Sequence, residues 1–137
     1  MENSQELEVL TPKECIRLIS EYPARVGRLA IAGPRPVILP VNYVVDKGEI
    51  VFRTAPGTKL SAAAKDNFVA FEVDDVKPEL RSGWSVLVRG QSHEIRDPTE
   101  RERLSKLPLK SWAAGDKDHF VRISNAIVSG RRLVDRS

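Results

Sequence analysis

The spacing of apolar positions predicts one amphipathic helix near the start of the chain and alternating, strand-like segments over most of the rest. In "LTPKECIRLISEY" the apolar residues Cys15, Leu18 and Ile19 recur at the spacing of a single helix face. Thr11 is a ready N-cap, Pro12 suits the first helical position, and Glu14 stands three residues after the cap, which makes a capping box. A helix is therefore predicted over 11–22, stopped by Pro23. "RVGRLAIAG" alternates as a strand and stops at Gly33-Pro34. "PVILPVNYVV" is rich in β-branched and aromatic residues, and Pro40 within it marks a bulge or an edge. "DKGE" reads as a hairpin turn returning into "IVFRT".

The second half repeats this grammar. "GTKLSAAAKDN" carries high helix propensity from Lys59 through Lys65. "FVAFEVDD" and the longer "GWSVLVRGQSHEIRD" read as strands, "PTERERLSKL" as a short polar helix after a proline start, and "HFVRISNAIVSGRRLV" as a closing strand. Antiparallel strands with isolated short helices predict a mostly β, closed barrel with helical decoration, one domain over 1–137 with the barrel from 25 to 133.

Composition narrows the function classes. The 137 residues hold 22 basic and 19 acidic side chains, a net charge of +3, with both signs interspersed as in "DPTERERLSK". Affinity for nucleic acid needs clustered cations, so none is expected as a partner. The single cysteine, Cys15, excludes an internal disulfide, suits a reducing cytoplasm and is expected in the core. "MENSQELEVL" has no basic-then-apolar signal, and no apolar run reaches spanning length, so a cytoplasmic protein without membrane partners is expected. Two histidines and one cysteine without ligand spacing give no expectation of a metal site. His93 reads as a surface residue. His119 reads as a polar contact or a surface residue, on the opposite strand face from Asp118.

One stretch concentrates chemistry. "FRTAPGTKL" places Arg53, Thr54, Thr58 and Lys59 at a strand-to-helix turn around Gly57. A helix start offers unpaired N–H groups and a positive dipole end. Two hydroxyls and two cations beside it make a candidate phosphate clamp, although the glycine spacing is not that of a P-loop.

"RPVILPVNYVV-DKGEIVFRTAPGTKL", with "FVAFEVDD" and "GWSVLVRGQSHEI", resembles the pyridoxamine 5′-phosphate oxidase-like flavin-binding split barrels, in particular their small actinobacterial flavin-nucleotide-binding branch. The resemblance runs from about Val26 to Leu133. It implies a homodimeric split barrel holding FMN. Leu39, Pro40, Val41 and Asn42 would lie along the isoalloxazine, and Arg53, Thr54, Thr58 and Lys59 at the phosphate. Ser85, beside Trp84, would reach the flavin across the dimer interface, and Trp112 and Arg122 would come from the partner subunit. Pyridoxamine-phosphate oxidases carry glutamine where this chain has Ser85, and their pyridoxal-phosphate contacts are not recognisable here. The resemblance therefore speaks to fold and cofactor rather than to substrate.

The expected function is that of an FMN-binding oxidoreductase acting on a small organic molecule. Two alternatives keep the fold: a deazaflavin-dependent reductase, and a non-catalytic flavin or haem carrier or sensor.

Overall fold

The computed structural model describes residues 5–54, 66–109 and 119–135. Seven strands are present among them: β1 (Gln5–Leu10), β2 (Val26–Ile31), β3 (Val37–Asp46), β4 (Glu49–Thr54), β5 (Asn67–Lys77), β6 (Ser82–Glu94) and β7 (His119–Asp135). Helix α1 (Pro12–Glu21) follows β1, helix α2 (Pro98–Ser105) follows β6, and a 3-10 turn (Pro78–Leu80) joins β5 to β6. All pairings are antiparallel, and the order β7-β4-β3-β2-β5-β6 closes on itself through β6–β7, giving a six-stranded barrel. The seventeen-residue β7 serves three partners, with β4 on 119–123, β1 on 130–135 and β6 along most of its length. No helix among the described residues is long and apolar enough to cross a membrane.

Alternation puts one side chain in two inside the barrel. Leu29, Val41, Tyr43, Ile50, Phe52, Phe71, Val73, Val86, Val88, Val121 and Ile123 fill it. The β3–β4 turn is made by Lys47 (φ 52°) and Gly48 (φ 78°), the doubly left-handed pair that matches strand twist in a two-residue hairpin. The expected "DKGE" hairpin is therefore present.

Helix α1 plugs one end of the barrel. Thr11 Oγ1 accepts from the Glu14 N–H (3.2 Å) and Glu14 Oε1 accepts from the Thr11 N–H (3.0 Å), so the capping box is formed. Cys15 and Ile19 are fully buried, and the Tyr43 hydroxyl donates to the Ile19 carbonyl at 2.7 Å. The helix lies close on β7 at Gly130, where a methyl group would come 2.6 Å from Cys15 Sγ. Tyr22 meets Trp84 edge-on with ring centroids 5.5 Å apart.

A second, smaller core lies outside the barrel. Val44, Val51 and Phe120 point outward from β3, β4 and β7, and Ile95, Leu104 and Leu109 cover them. Asp46 pins this cover: both carboxylate oxygens accept from Arg103 of α2 at 2.8 Å, and Arg122 donates to Oδ2 at 2.7 Å. These two guanidiniums, Arg103 first, hold the Asp46 carboxyl far below the usual carboxylate range.

Strand β1 does not follow from the hydrophobic pattern. Leu7 and Val9 point to solvent (62% and 75% exposed), so alternation there marks the wrong face.

Candidate functional site

The barrel is split along β3. Residues 37–42 pair with β2, whereas among the described residues β4 pairs with 43–46 alone. The Tyr43 N–H donates to the Arg25 carbonyl at 3.0 Å, on the β2 side. Edge direction alternates in an antiparallel ladder, so Leu39 and Val41 also turn their N–H and C=O to β2, and Ile38 and Pro40 turn theirs the other way. On that other side residues 38–41 have no ladder partner among the described residues. Pro40, which has no N–H, sits where no ladder donor is required, and this accounts for a proline inside a ten-residue strand.

Thr54, the last residue of β4, stands where the split opens; extending the Tyr43↔Phe52 register places it level with Val41. It is 1% exposed, on the inner face, and its Oγ1 has no hydrogen-bond partner among the described residues. Its direct cross-strand neighbour is His119. His119 Nδ1 lies 3.3 Å from Glu94 Oε2, within ion-pair distance but outside hydrogen-bond geometry. Glu94 faces Val121 across β6–β7, one inner-face position from His119. Ser92 and Asn67 complete this end of the barrel, with Ser92 Oγ donating to the Asn67 carbonyl at 3.1 Å. The barrel is thus closed by the apolar face of α1 at one end and lined by Thr54, His119, Glu94 and Ser92 at the other.

Arg53 belongs to the opposite face from Thr54, because successive strand residues point apart. Its Nη1 donates to the Leu109 carbonyl at 2.9 Å, and its Cζ lies 5.0 Å from the centre of the Phe120 ring. Arg53 and Thr54 therefore flank the mouth of the split from its two sides.

Val41 is buried in the barrel, Leu39 and Asn42 are half-buried, and Pro40 is exposed. Trp84 and Ser85 lie at the α1 end, ten residues from Glu94 along β6, on the order of 30 Å at strand rise. Within one chain they do not meet Thr54. Ser85 pairs with Asp74 and Arg131 on the outer side of the sheet. Arg122 is largely buried and engaged by Asp46 and Glu49. Thr58, Lys59 and Trp112 lie outside the described residues, as does the helix expected from Lys59 to Lys65. Glu94 was not among the predicted residues, since nothing in sequence ties it to His119, twenty-five positions away. His93, expected at the surface, is half-buried opposite Arg122.

Beside the split runs an apolar groove of about 630 Å³, lined by Ile38, Phe68, Ala70, Arg89 and Ile127 among others. Ile38, Phe68 and Ile127 are 69%, 79% and 64% exposed.

This architecture is that of the split β-barrels. A family model described as pyridoxamine 5′-phosphate oxidase matches residues 11–132, and the chain belongs to that family. The Mycobacterium tuberculosis protein Rv0080 is 34% identical over 139 residues, covering 97% of this chain and 90% of its own. The solved structure of an FAD-binding protein from Mycobacterium smegmatis is 36% identical, with a TM-score of 0.78 over 90% of this chain and 98% of that one. An FAD-binding protein from Mesorhizobium loti is 25% identical, with a TM-score of 0.71 over 92% and 97% of the two chains.

Proposed function

We propose that this chain is a flavin-binding oxidoreductase whose isoalloxazine ring lies along the open edge of β3. The observation that carries the reading is the split itself: a strand edge turned to an opening, with the buried Thr54 hydroxyl, unpartnered among the described residues, at its mouth. A flavin ring presents donors and acceptors along its rim, and backbone groups on an open strand edge match them without side-chain freedom. The family match and the FAD-binding neighbours support the same class of cofactor.

When bound, the flavin would supply two-electron chemistry toward a small organic molecule. The protein's part is to bind and orient. Ile38 and Pro40, whose backbone groups turn to the opening, hold the ring's rim, Leu39 and Val41 lie on the inner face of the same edge, and Thr54 fixes the group that passes the end of β4. Arg53, held by Leu109 and Phe120, contributes positive charge for the cofactor phosphate at the outer side of the mouth.

The working form is a homodimer. Trp84 and Ser85 are remote from Thr54 in one chain, so any site that joins them needs a second copy. The exposed row Ile38, Phe68 and Ile127, contiguous with the split, offers an apolar surface for it. The cytoplasm is the expected compartment.

FMN is the leading cofactor; FAD is favoured by the names of two neighbours. The test is the absorbance spectrum of the purified protein, followed by mass spectrometry of what heat releases. A flavin spectrum with FMN or FAD released supports the reading. A deazaflavin or haem moves the protein to the alternative reductase or carrier readings. A colourless protein that takes up no added flavin overturns it.

A further inference from the structure

The inner mouth of the split holds three polar side chains, and two of them keep a buried polar atom that no hydrogen bond satisfies among the described residues. Thr54 is 1% exposed, and its hydroxyl has no hydrogen-bond partner among the described residues. His119, directly across from it, keeps Nδ1 buried without a hydrogen bond among the described residues. The Glu94 side chain, 15% exposed, brings Oε2 to 3.3 Å from that nitrogen. The adjacent Ser92–Asn67 pair, by contrast, is bonded to itself and so serves the barrel.

A buried hydroxyl without a partner is costly unless something else completes it. The character of the neighbours says what kind of group that is. Glu94 places a carboxylate beside His119, so the cluster repels an anion and is no seat for phosphate. A hydroxyl, an imidazole and a carboxylate on adjacent strands, about 5 Å apart, instead present alternating donors and acceptors to a neutral chain of hydroxyl groups. The cluster lies one strand away from the open edge of β3, level with Val41.

We propose that Thr54, His119 and Glu94 form the seat of the cofactor's polyhydroxyl chain, separating it from a phosphate held at the outer, Arg53 side of the mouth. The proposal rests on the flavin reading above and adds to it the division of labour between the two faces of β4. Glu94 and His119 become binding residues that act on hydroxyl groups, and Thr54 acts on the inner side only.

The experiment compares ligands that differ in that chain. Apoprotein is titrated with lumiflavin, which has the ring alone, with riboflavin, which adds the hydroxyl chain, and with FMN, following ligand fluorescence. Wild type is compared with Thr54→Val and Glu94→Gln. Wild type is expected to bind riboflavin roughly tenfold or more tighter than lumiflavin, and each variant to lose about five- to tenfold for riboflavin and FMN alike, with lumiflavin unchanged. The apo melting temperature of Thr54→Val should equal or exceed that of wild type, because the near-isosteric exchange removes an unpartnered hydroxyl. Equal losses for all three ligands, or FMN affinity unchanged in both variants, would overturn the seat and leave the flavin reading standing. Failure of wild type to bind any of the three would overturn both.

Discussion

Asp46 and Arg122 meet at 2.7 Å although they are 76 positions apart in the chain, and Arg103 closes on the same carboxylate from α2. The β3–β4 hairpin, the start of β7 and the outer helix are thereby joined at one buried group. The carboxyl of Asp46 is held well below its ordinary range by the hydrogen bonds from Arg103 and then from Arg122. A depressed carboxyl contributes stability that is present above its unfolded value, near 4, and is lost as pH falls toward the folded one. Asp46→Ala is expected to cost about 2–3 kcal/mol at pH 7, since Arg122 is left buried and short of its main partner. Chemical denaturation from pH 7 to pH 3 should show the difference from wild type shrinking with acid. A constant difference would mean that the pair contributes nothing as ions.

Glu72 behaves in the opposite sense. Burial, followed by its neighbour Asp74, raises its carboxyl to about 7, against a smaller lowering by Arg28. The native state therefore holds a proton that the unfolded chain releases near pH 4.3, and stability should fall as pH rises from there to about 7. Glu72→Gln should flatten that part of the profile and leave the variant more stable than wild type at pH 8. Melting curves across pH 4–8 measure this, and parallel profiles would contradict it.

The exposed apolar row gives an assembly prediction. Phe68 is 79% exposed beside Ile38 and Ile127, a surface a monomer has little reason to keep. Light scattering is expected to find a dimer at micromolar concentration, and Phe68→Asp to convert it to a monomer with an unchanged far-ultraviolet dichroism spectrum. A wild-type monomer that still binds flavin would refute the two-copy site.

Much of the barrel is legible in the sequence because its signals are local. The Thr11–Glu14 box, the Lys47-Gly48 turn and the alternation of β4 through β6 each declare themselves within a few residues. Pro40 also signals correctly, since its lost N–H coincides with the edge where the barrel splits. The site is less legible because its geometry is made by pairing. No local pattern could put Thr54 opposite His119, or turn Arg53 and Thr54 to opposite faces of one strand. Arg122 shows the same limit: the sequence offers a cation, while the fold engages it with Asp46. Strand β1 escapes for a different reason, since it is held by the β7 ladder while its apolar residues face water.

Amide hydrogen exchange along β3 reports whether its open edge receives a flavin ring. The Ile38 N–H points into the split, whereas the Leu39 and Val41 N–H groups are bonded to β2. In apoprotein Ile38 should therefore exchange quickly while Leu39 and Val41 exchange slowly. Saturation with FMN is predicted to slow Ile38 by an order of magnitude or more and to leave Leu39 and Val41 nearly unchanged. Saturable FMN binding with Ile38 exchange unaltered would place the ring away from β3.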